Sequence, residues 1–334
     1  MDWFERLMGF AESDDYAATQ SRLAVEGDEL VSTVNGTRYG IGELTLPTLA
    51  ELRARVNPAR GQRSTVQALV GDARALHSDP DFEGALFQVA SQFNLLEMIS
   101  ETVTPEQGVS RYAHDLTQGP ACAIAAGAGT IYRNYLVPVG DGTGQTRDRQ
   151  LDALAGVGSA LSELSGLPVG ELWRMQNGYA LCSREGLRAI DHLLYTASDE
   201  VLDMLRGQLA IGLHRHVEVT DGNGRRVSQA YCSALPVAYS TLPADYWESF
   251  ARLVLKASYE ATLLAAVEQA GSGGSNKVLL TRLGGGAFGN DPDWIDSAIE
   301  RALGVVADAG LDISIVCFGR ADREVQALVD RYGN

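Results

Sequence analysis

A chain of 334 residues can bury a large core, and 45% hydrophobic with 21% charged residues is the balance of an ordinary globular protein, not of a disordered or fibrous one. A formal net charge of -16 excludes a general nucleic-acid or anionic-membrane surface, which needs basic stripes, yet allows an anionic small ligand held by backbone amides. No apolar run reaches the roughly 18 residues of a membrane span, and the start Met1-Asp2-Trp3-Phe4-Glu5-Arg6 lacks a signal peptide's basic end and apolar centre. A cytoplasmic protein is therefore expected, or one delivered by a non-classical secretion route. Cys122, Cys182, Cys232 and Cys317 are widely separated and give neither a zinc signature nor a disulfide framework; Cys232 and Cys317 sit in apolar runs as small core residues.

Residues 1–25 read as one or two polar-amphipathic helices. Leu30 to Val34, the pair Asn35-Gly36, and Thr37 to Tyr39 are a hairpin signal. Leu46 to Val56 and Thr65 to His77 have helical spacing, parted by Pro58 and Gly61. Residues 1–80 are expected as an appended α+β segment ahead of a functional domain over 81–334.

Ala85 to Phe93 reads as a buried strand, with Gln92 and Asn94 leaving its carboxyl end. Ligands of α/β sheets collect there, although the same side chains also suit the backbone groups of a strand exit. Thr104-Pro105-Glu106 opens a short helix capped by Thr104. Asp115 to Gly119 is a polar turn, and Pro120 to Tyr135 is a helix of very small residues, which implies close approach of another backbone or a ligand. A loop over 138–150 leads to a helix over 151–164, a turn at Asn177-Gly178, and short helices over 187–194 and 199–205. Residues 208–220 and 227–239 are two strands about the turn Asp221-Gly222-Asn223-Gly224. Strand alternation puts His214, His216 and Glu218 on one face. His214-x-His216 is a possible metal pair, but no third ligand accompanies it at a diagnostic spacing, and no metal is expected. A long helix over 242–270, a strand over 277–283, a helix over 292–308, a strand over 311–318 and a last helix over 322–332 complete the chain.

The richest stretch joins that late strand to its helix. Leu283 is followed by Gly284, Gly285, Gly286, Ala287, Phe288, Gly289 and Asn290, and Asp291-Pro292 then opens a helix as cap and first residue. A strand, a glycine turn and a helix N-terminus together suit a phosphate, because backbone N–H groups point outward and no side chain blocks approach. Gly284-x-Gly286-x-x-Gly289 also satisfies the dinucleotide pattern, which raises an NAD(P)-dependent oxidoreductase. That fingerprint opens two βαβαβ halves, whereas only 45 residues follow Gly289, so this loop closes a sheet.

Leu283 to Asn290 resembles the second phosphate loop of macrodomains, in which a small-Gly-Val-Phe-Gly sequence wraps the diphosphate of ADP-ribose. Gln88 to Leu96 resembles the macrodomain strand with its Asn-Ala-Ala-Asn loop. Thr117-Gln118-Gly119-Pro120 and the helix after it resemble the family's glycine-rich catalytic loop. The order and context agree across 85–318. The chain departs in having no Asn-Ala-Ala-Asn and no Gly-Gly-Gly followed by the Gln-Glu-Glu of poly-ADP-ribose glycohydrolases. The blocks Ala90 to Asn94, Thr117 to Ala121 and Cys232 to Val237 instead resemble a divergent bacterial branch, the MavL-type hydrolases that remove ADP-ribose from protein side chains, arginine in particular.

The resemblance implies an α/β fold, a macrodomain-like three-layer α/β/α arrangement with a mixed central sheet, an N-terminal extension and helical insertions. It also implies an ADP-ribosylated protein as substrate, ADP-ribose as ligand or product, and no required cofactor. Gln92, Asn94 and Leu95, then Thr117, Gln118 and Gly119, then Gly284 to Asn290 become the expected ADP-ribose contacts. Cleavage at the distal ribose C1″ passes an oxocarbenium-like state that carboxylates serve. Asp115, Glu218, Asp221 and Glu106 are the candidates, with Glu97 structural or near adenine. A binding module that holds ADP-ribose without turning it over shares all the phosphate-loop features.

Overall fold

In a computed structural model describing every residue except Arg60, Asp322 and Asn334, seven strands make one mixed sheet. In chain order they are β1 (Glu43–Thr45), β2 (Thr65–Val70), β3 (Leu86–Ala90), β4 (Gly212–Glu218), β5 (Arg226–Cys232), β6 (Lys277–Leu280) and β7 (Asp312–Cys317). They lie in the order β1-β4-β5-β3-β6-β7-β2. β4 is antiparallel to β1 and β5, and every other pairing is parallel. Parallel neighbours need crossovers, and helices cover both faces to give three α/β/α layers.

Alternation along β3 assigns the layers. Gln88 points to the long Glu248–Gly271 helix and donates to Thr262 Oγ1 at 2.9 Å. Phe87 points the other way and stacks on His77 of the Ala73–Ser78 helix, centroids 3.8 Å apart. Pro292–Val305 packs beside the long helix, while Gln118–Ala125 and Gly127–Tyr135 cover the opposite face. None of the helices among the described residues is long and apolar enough to cross a membrane.

The first 80 residues are not set apart from this body. They supply β1 and β2, the two edges of the sheet, so no boundary falls at residue 80. Trp3, Phe4, Leu7 and Met8 of the first helix, with Leu30 and Ile41, form a second core against Leu96, Tyr112, Ile124 and Ile131.

Three elements differ from expectation. The helix expected over 65–77 is strand β2 followed by a helix that starts at Ala73, with Asp72 capping Ala75 N. β2 is an edge strand with mixed exposure, so its residues carry neither a clean period of two nor one of 3.6. The small-residue helix begins at Gln118 rather than Pro120 and breaks at Ala126. β4 carries a bulge between His214 and Val217, with His216 at φ +55°. The extra residue reverses the alternation, so His214 and Val217 are buried while His216 faces solvent. The last helix runs from Arg323 to Tyr332; Asp322, its expected first residue, lies outside the described residues.

His77 and His214 are fully enclosed and neutral. Burial pulls His77 down to about 4 and His214 down to about 3, the latter helped by the nearby Arg133 cation. Both lie below the ordinary 6.5, so the stability each contributes is complete above about pH 6.5 and is lost as pH falls. The unfolding temperature is expected to drop between pH 6.5 and 4, and less steeply in His77→Gln. Equal slopes for the two proteins in thermal unfolding would contradict a buried neutral ring at 77.

Candidate active site

The site begins where two neighbouring strands part. β3 and β6 pair only at Leu86 with Val278 and Phe87 with Leu279, and beyond these residues they diverge. The Gln88 carbonyl and Ala90 N–H on the β6 side would then lack partners inside the protein, which is costly. The Gln118 carboxamide takes both: its Oε1 accepts from Ala90 N at 2.9 Å and its Nε2 donates to Gln88 O at 3.0 Å. One side chain thus continues the ladder and fixes the start of the Gln118–Ala125 helix. Gly119 then lies so close to β3 that a Cβ would collide with the Ala90 carbonyl. On the β6 side, the Gln88 side chain accepts from Thr281 N at 3.3 Å. The crevice left between the strands is open at their carboxyl ends, where α/β sheets hold ligands.

Two loops line that crevice with backbone donors. In the glycine loop, Tyr259 Oη donates to Thr281 O at 2.7 Å and accepts from Leu283 N at 2.8 Å. Asn290 donates to Leu235 O at 2.8 Å, and its N–H bonds to Gly284 O at 2.9 Å. Gly284 sits at φ +73° with Ala234 and Asn290 against it, which a side chain would not tolerate. So clamped, the loop presents the N–H groups of Gly284, Gly286, Ala287 and Phe288, none with an acceptor among the described residues. Across the crevice the first N–H groups of the Gln118–Ala125 helix, at Gln118 and Gly119, are likewise without one. A third wall is aromatic. Tyr179, Tyr239 and Phe288 form a triangle with centroids 5.1 to 5.5 Å apart, and Tyr179 donates to Met98 O at 2.7 Å.

The fourth wall is the loop after β3, and it carries the group of greatest interest. Gln92 clasps Met98 through both ends of its carboxamide, at 2.8 and 3.1 Å. Leu95 is held at φ +65°, a conformation that costs a branched residue on the order of 1–3 kcal/mol. That turn sends Asn94 and Leu95 into the core and Glu97 towards the crevice. Glu97 is 2% exposed, and neither of its carboxylate oxygens has a hydrogen-bond partner among the described residues. Arg133 lies 3.5 Å away and Tyr112 Oη accepts from the Glu97 N–H at 3.0 Å. Burial nevertheless prevails over the pull of these neighbours and pushes the carboxyl up to about 8, so it is mainly protonated at neutral pH.

Arg133 is itself fully buried. Its Nε donates to Leu95 O at 3.0 Å, its Nη2 to Thr130 Oγ1 at 3.1 Å, and its Cζ lies 3.7 Å from the Tyr231 ring centre. Its Nη1 meets His214 Nδ1 at 3.4 Å while His214 Nε2 meets Ile41 O at 2.5 Å. A carbonyl only accepts, so Nε2 carries the ring proton and Nδ1 is left to accept from Arg133.

Of the residues expected from sequence, Gln92, Asp115, Thr117, Gln118, Gly119, Gly284, Gly286, Ala287 and Phe288 line this cleft. Asn94 does not: its carboxamide binds Gln150 at 2.9 Å and Leu96 N at 3.1 Å inside the core. Leu95, Gly285, Gly289 and Asn290 shape the loops from outside the cleft, Gly285 facing Ile295 and Gly289 facing Ala238. Glu218 and Asp221 stand at the opposite end of the sheet, because β4 runs against β5 and ends beside Arg226. There Glu218 accepts from Gly40 N at 2.7 Å and Asp221 pairs with Arg74 at 3.3 Å. Glu106 accepts from Arg147 N at 2.8 Å, away from the cleft. Asp115 is at the rim, with Oδ1 accepting from Thr117 N at 2.9 Å and Thr117 Oγ1 at 2.7 Å.

No family model matches the chain, and no curated protein does. Among solved structures, it is similar to poly(ADP-ribose) glycohydrolase from Deinococcus radiodurans in complex with ADP-ribose, at 13% identity over 87% of this chain and 92% of that one, TM-score 0.42. It is also similar to the Thermomonospora curvata poly(ADP-ribose) glycohydrolase bound to the inhibitor ADP-HPD, at 15% identity over 95% and 97%, TM-score 0.43. A macrodomain from Oceanobacillus iheyensis is similar at 10% identity over 87% and 96%, TM-score 0.34.

Gly119 gives the site a direct structural test. Gly119→Ala is expected to lose about 1–3 kcal/mol of stability, because the helix must move off β3 and break the Gln118 contacts. Unchanged stability in chemical denaturation would mean that this close approach does not fix the helix.

Proposed function

We propose that the cleft binds ADP-ribose and cleaves the bond at its distal ribose C1″, releasing it from a modified protein side chain. Arginine is the linkage to which the sequence resemblance points. The observation that carries this reading is a convergence on one crevice: amides without an acceptor among the described residues face it from two loops, and a buried Glu97 carboxyl with no hydrogen-bond partner among those residues lies beside them. Converging amides suit a diphosphate in a strongly acidic protein, since they add no charge of their own. The aromatic triangle offers a flat apolar surface for a base or sugar. The enclosed space is about 150 Å³, below the ~300–1,000 Å³ common for ligand sites, so part of a nucleotide sugar would lie in the open mouth.

In the proposed reaction the C1″–N bond breaks and water supplies the new C1″–O bond. Glu97, kept protonated by burial, gives its proton to the departing nitrogen and recovers one from the attacking water. The Asp115 Oδ2 atom, not used in holding Thr117, would orient that water. The second reading is binding without turnover. It is favoured by the commitment of Asp115 Oδ1 to Thr117, which leaves Glu97 as the one deeply placed carboxyl where glycosidic chemistry commonly uses two.

Glu97→Gln is expected to slow release of ADP-ribose from a modified protein by about 10²–10⁴-fold while leaving calorimetric affinity for ADP-ribose within a few fold. The wild-type rate should fall as pH rises through about 8, where the proton donor is lost. Wild-type turnover in Glu97→Gln would remove the residue from the chemistry, and measurable ADP-ribose binding with no release by the wild type would leave the binding module.

The phosphate loop is tested separately. Gly286 has open space where a Cβ would go, so Gly286→Asp should fold normally. Its carboxylate would compete for the loop amides, and a loss of ADP-ribose affinity of at least tenfold is expected. Unchanged affinity in calorimetry would contradict a diphosphate at this loop.

A further inference from the structure

A second cavity of about 480 Å³ meets the cleft at Glu97. Glu97, Ile99 and Asp115 form part of both, so the buried carboxyl stands at the junction of two spaces. The far side of this second space is built from the start of the chain, at Asp2 and the stretch Glu12-Ser13-Asp14, and from the turn Ser110–His114. Two observations point to a ligand there. The Glu97 oxygens, in a side chain 1% exposed, have no hydrogen-bond partner among the described residues. The buried Nε of Arg111, another part of the wall, has none either.

The wall is strongly acidic for its size. Asp2, Glu12, Asp14, Asp115 and Glu97 face Arg111 and His114. These acids differ in freedom. Glu12 is consumed internally, accepting from Val109 N at 2.9 Å, Ser110 N at 2.7 Å and Tyr135 Oη at 2.8 Å. Those contacts tie the N-terminal segment to the Ser110–His114 wall of the second cavity and hold its shape. Asp2 and Asp14 are exposed; Asp2 caps the first helix through Glu5 N at 2.8 Å, and no hydrogen bond or ion pair occupies the Asp14 carboxylate among the described residues. Their charges are therefore available to whatever enters.

We propose that this second cavity receives the polypeptide that carries the ADP-ribose, and that Asp2 and Asp14 select partners with basic residues beside the modified side chain. The inference rests on the proposed function, since it takes Glu97 as the point where nucleotide and protein meet. Free ADP-ribose fills only the first space and makes no use of Asp2 or Asp14, whereas a conjugate occupies both. Rim charges of this kind act on encounter and selectivity and are screened by salt.

The test compares three ligands by calorimetry on the full chain carrying Glu97→Gln, which slows turnover: free ADP-ribose, ADP-ribose on a Lys/Arg-rich peptide, and ADP-ribose on a Glu/Asp-rich peptide. The basic conjugate is expected to bind about three- to tenfold more tightly than the acidic one at low salt, with the difference falling at about 0.5 M salt. In Asp2→Asn with Asp14→Asn that preference should vanish while affinity for free ADP-ribose stays unchanged; asparagine preserves the helix cap at position 2. A preference that survives the double substitution, or no preference at all, overturns the inference and leaves the proposed function intact if free ADP-ribose still binds. No binding of free ADP-ribose to the wild-type chain overturns both.

Discussion

The parting of β3 from β6 is the constraint on which the rest of the structure depends. A parallel ladder that stops in mid-sheet leaves backbone groups that must be satisfied without water, and Gln118 satisfies them from the end of a helix. That solution constrains the neighbouring residues. The helix must start at 118 and must have glycine at 119, because nothing larger fits beneath the Ala90 carbonyl. Its first amides then open onto the crevice, opposite the clamped glycine loop. The crevice exists because the strands diverge, and its donors converge because the divergence is closed by a side chain instead of a strand.

The second organising feature is the buried cation Arg133. An isolated guanidinium in a core is costly, and here it is surrounded by Leu95 O, Thr130 Oγ1, the Tyr231 ring, neutral His214 and the more distant Glu97. The chain of contacts reaches from Ile41, in the N-terminal part, to the carboxyl at the cleft. Arg133 favours an ionised Glu97 while burial opposes ionisation more strongly, and the balance near 8 makes the group able to exchange a proton around neutral pH. The strain at Leu95 and this buried charge lie close together, as expected where structure is bent to serve a site. The N-terminal segment is accordingly part of the same machinery: it closes both edges of the sheet, shares a core with the loop that carries Glu97, and walls the space beyond it.

Much of this was legible in the chain, for identifiable reasons. The stretch from Lys277 to Pro292 has a strand, a glycine turn and a capped helix in close succession, each with its own local chemistry, and the structure forms all three, with the strand ending at Leu280 instead of 283 and the helix at Val305 instead of 308. The hairpins at Asn35-Gly36 and Asn177-Gly178 also follow from local turn preferences. What escaped depends on distant partners. Thr65–Val70 becomes a strand through pairing with β7, some 247 residues away in the chain, as the Gln67–Ser314 contact illustrates. The bulge at His216 moved Glu218 off the expected face, and the antiparallel run of β4 carried it and Asp221 to the far end of the sheet. Asn94, a plausible ligand contact at a strand exit, turned inward because Leu95 adopts a left-handed conformation. Glu97 carried one readable signal, a single acid within the apolar run Leu95-Leu96-Glu97-Met98-Ile99, where an unpaired charge is unfavourable. Its orientation towards the cleft was not contained in that pattern.

Acceptor-free amides that take a diphosphate are the core of the proposed function, and amide chemical shifts report on them most directly. In ¹⁵N-labelled protein titrated with ADP-ribose, the resonances of Gln118, Gly119, Gly286, Ala287 and Phe288 are expected to move together, downfield in the proton dimension, and to saturate with one dissociation constant. Saturable binding that leaves these amides in place, or no binding, would contradict that role.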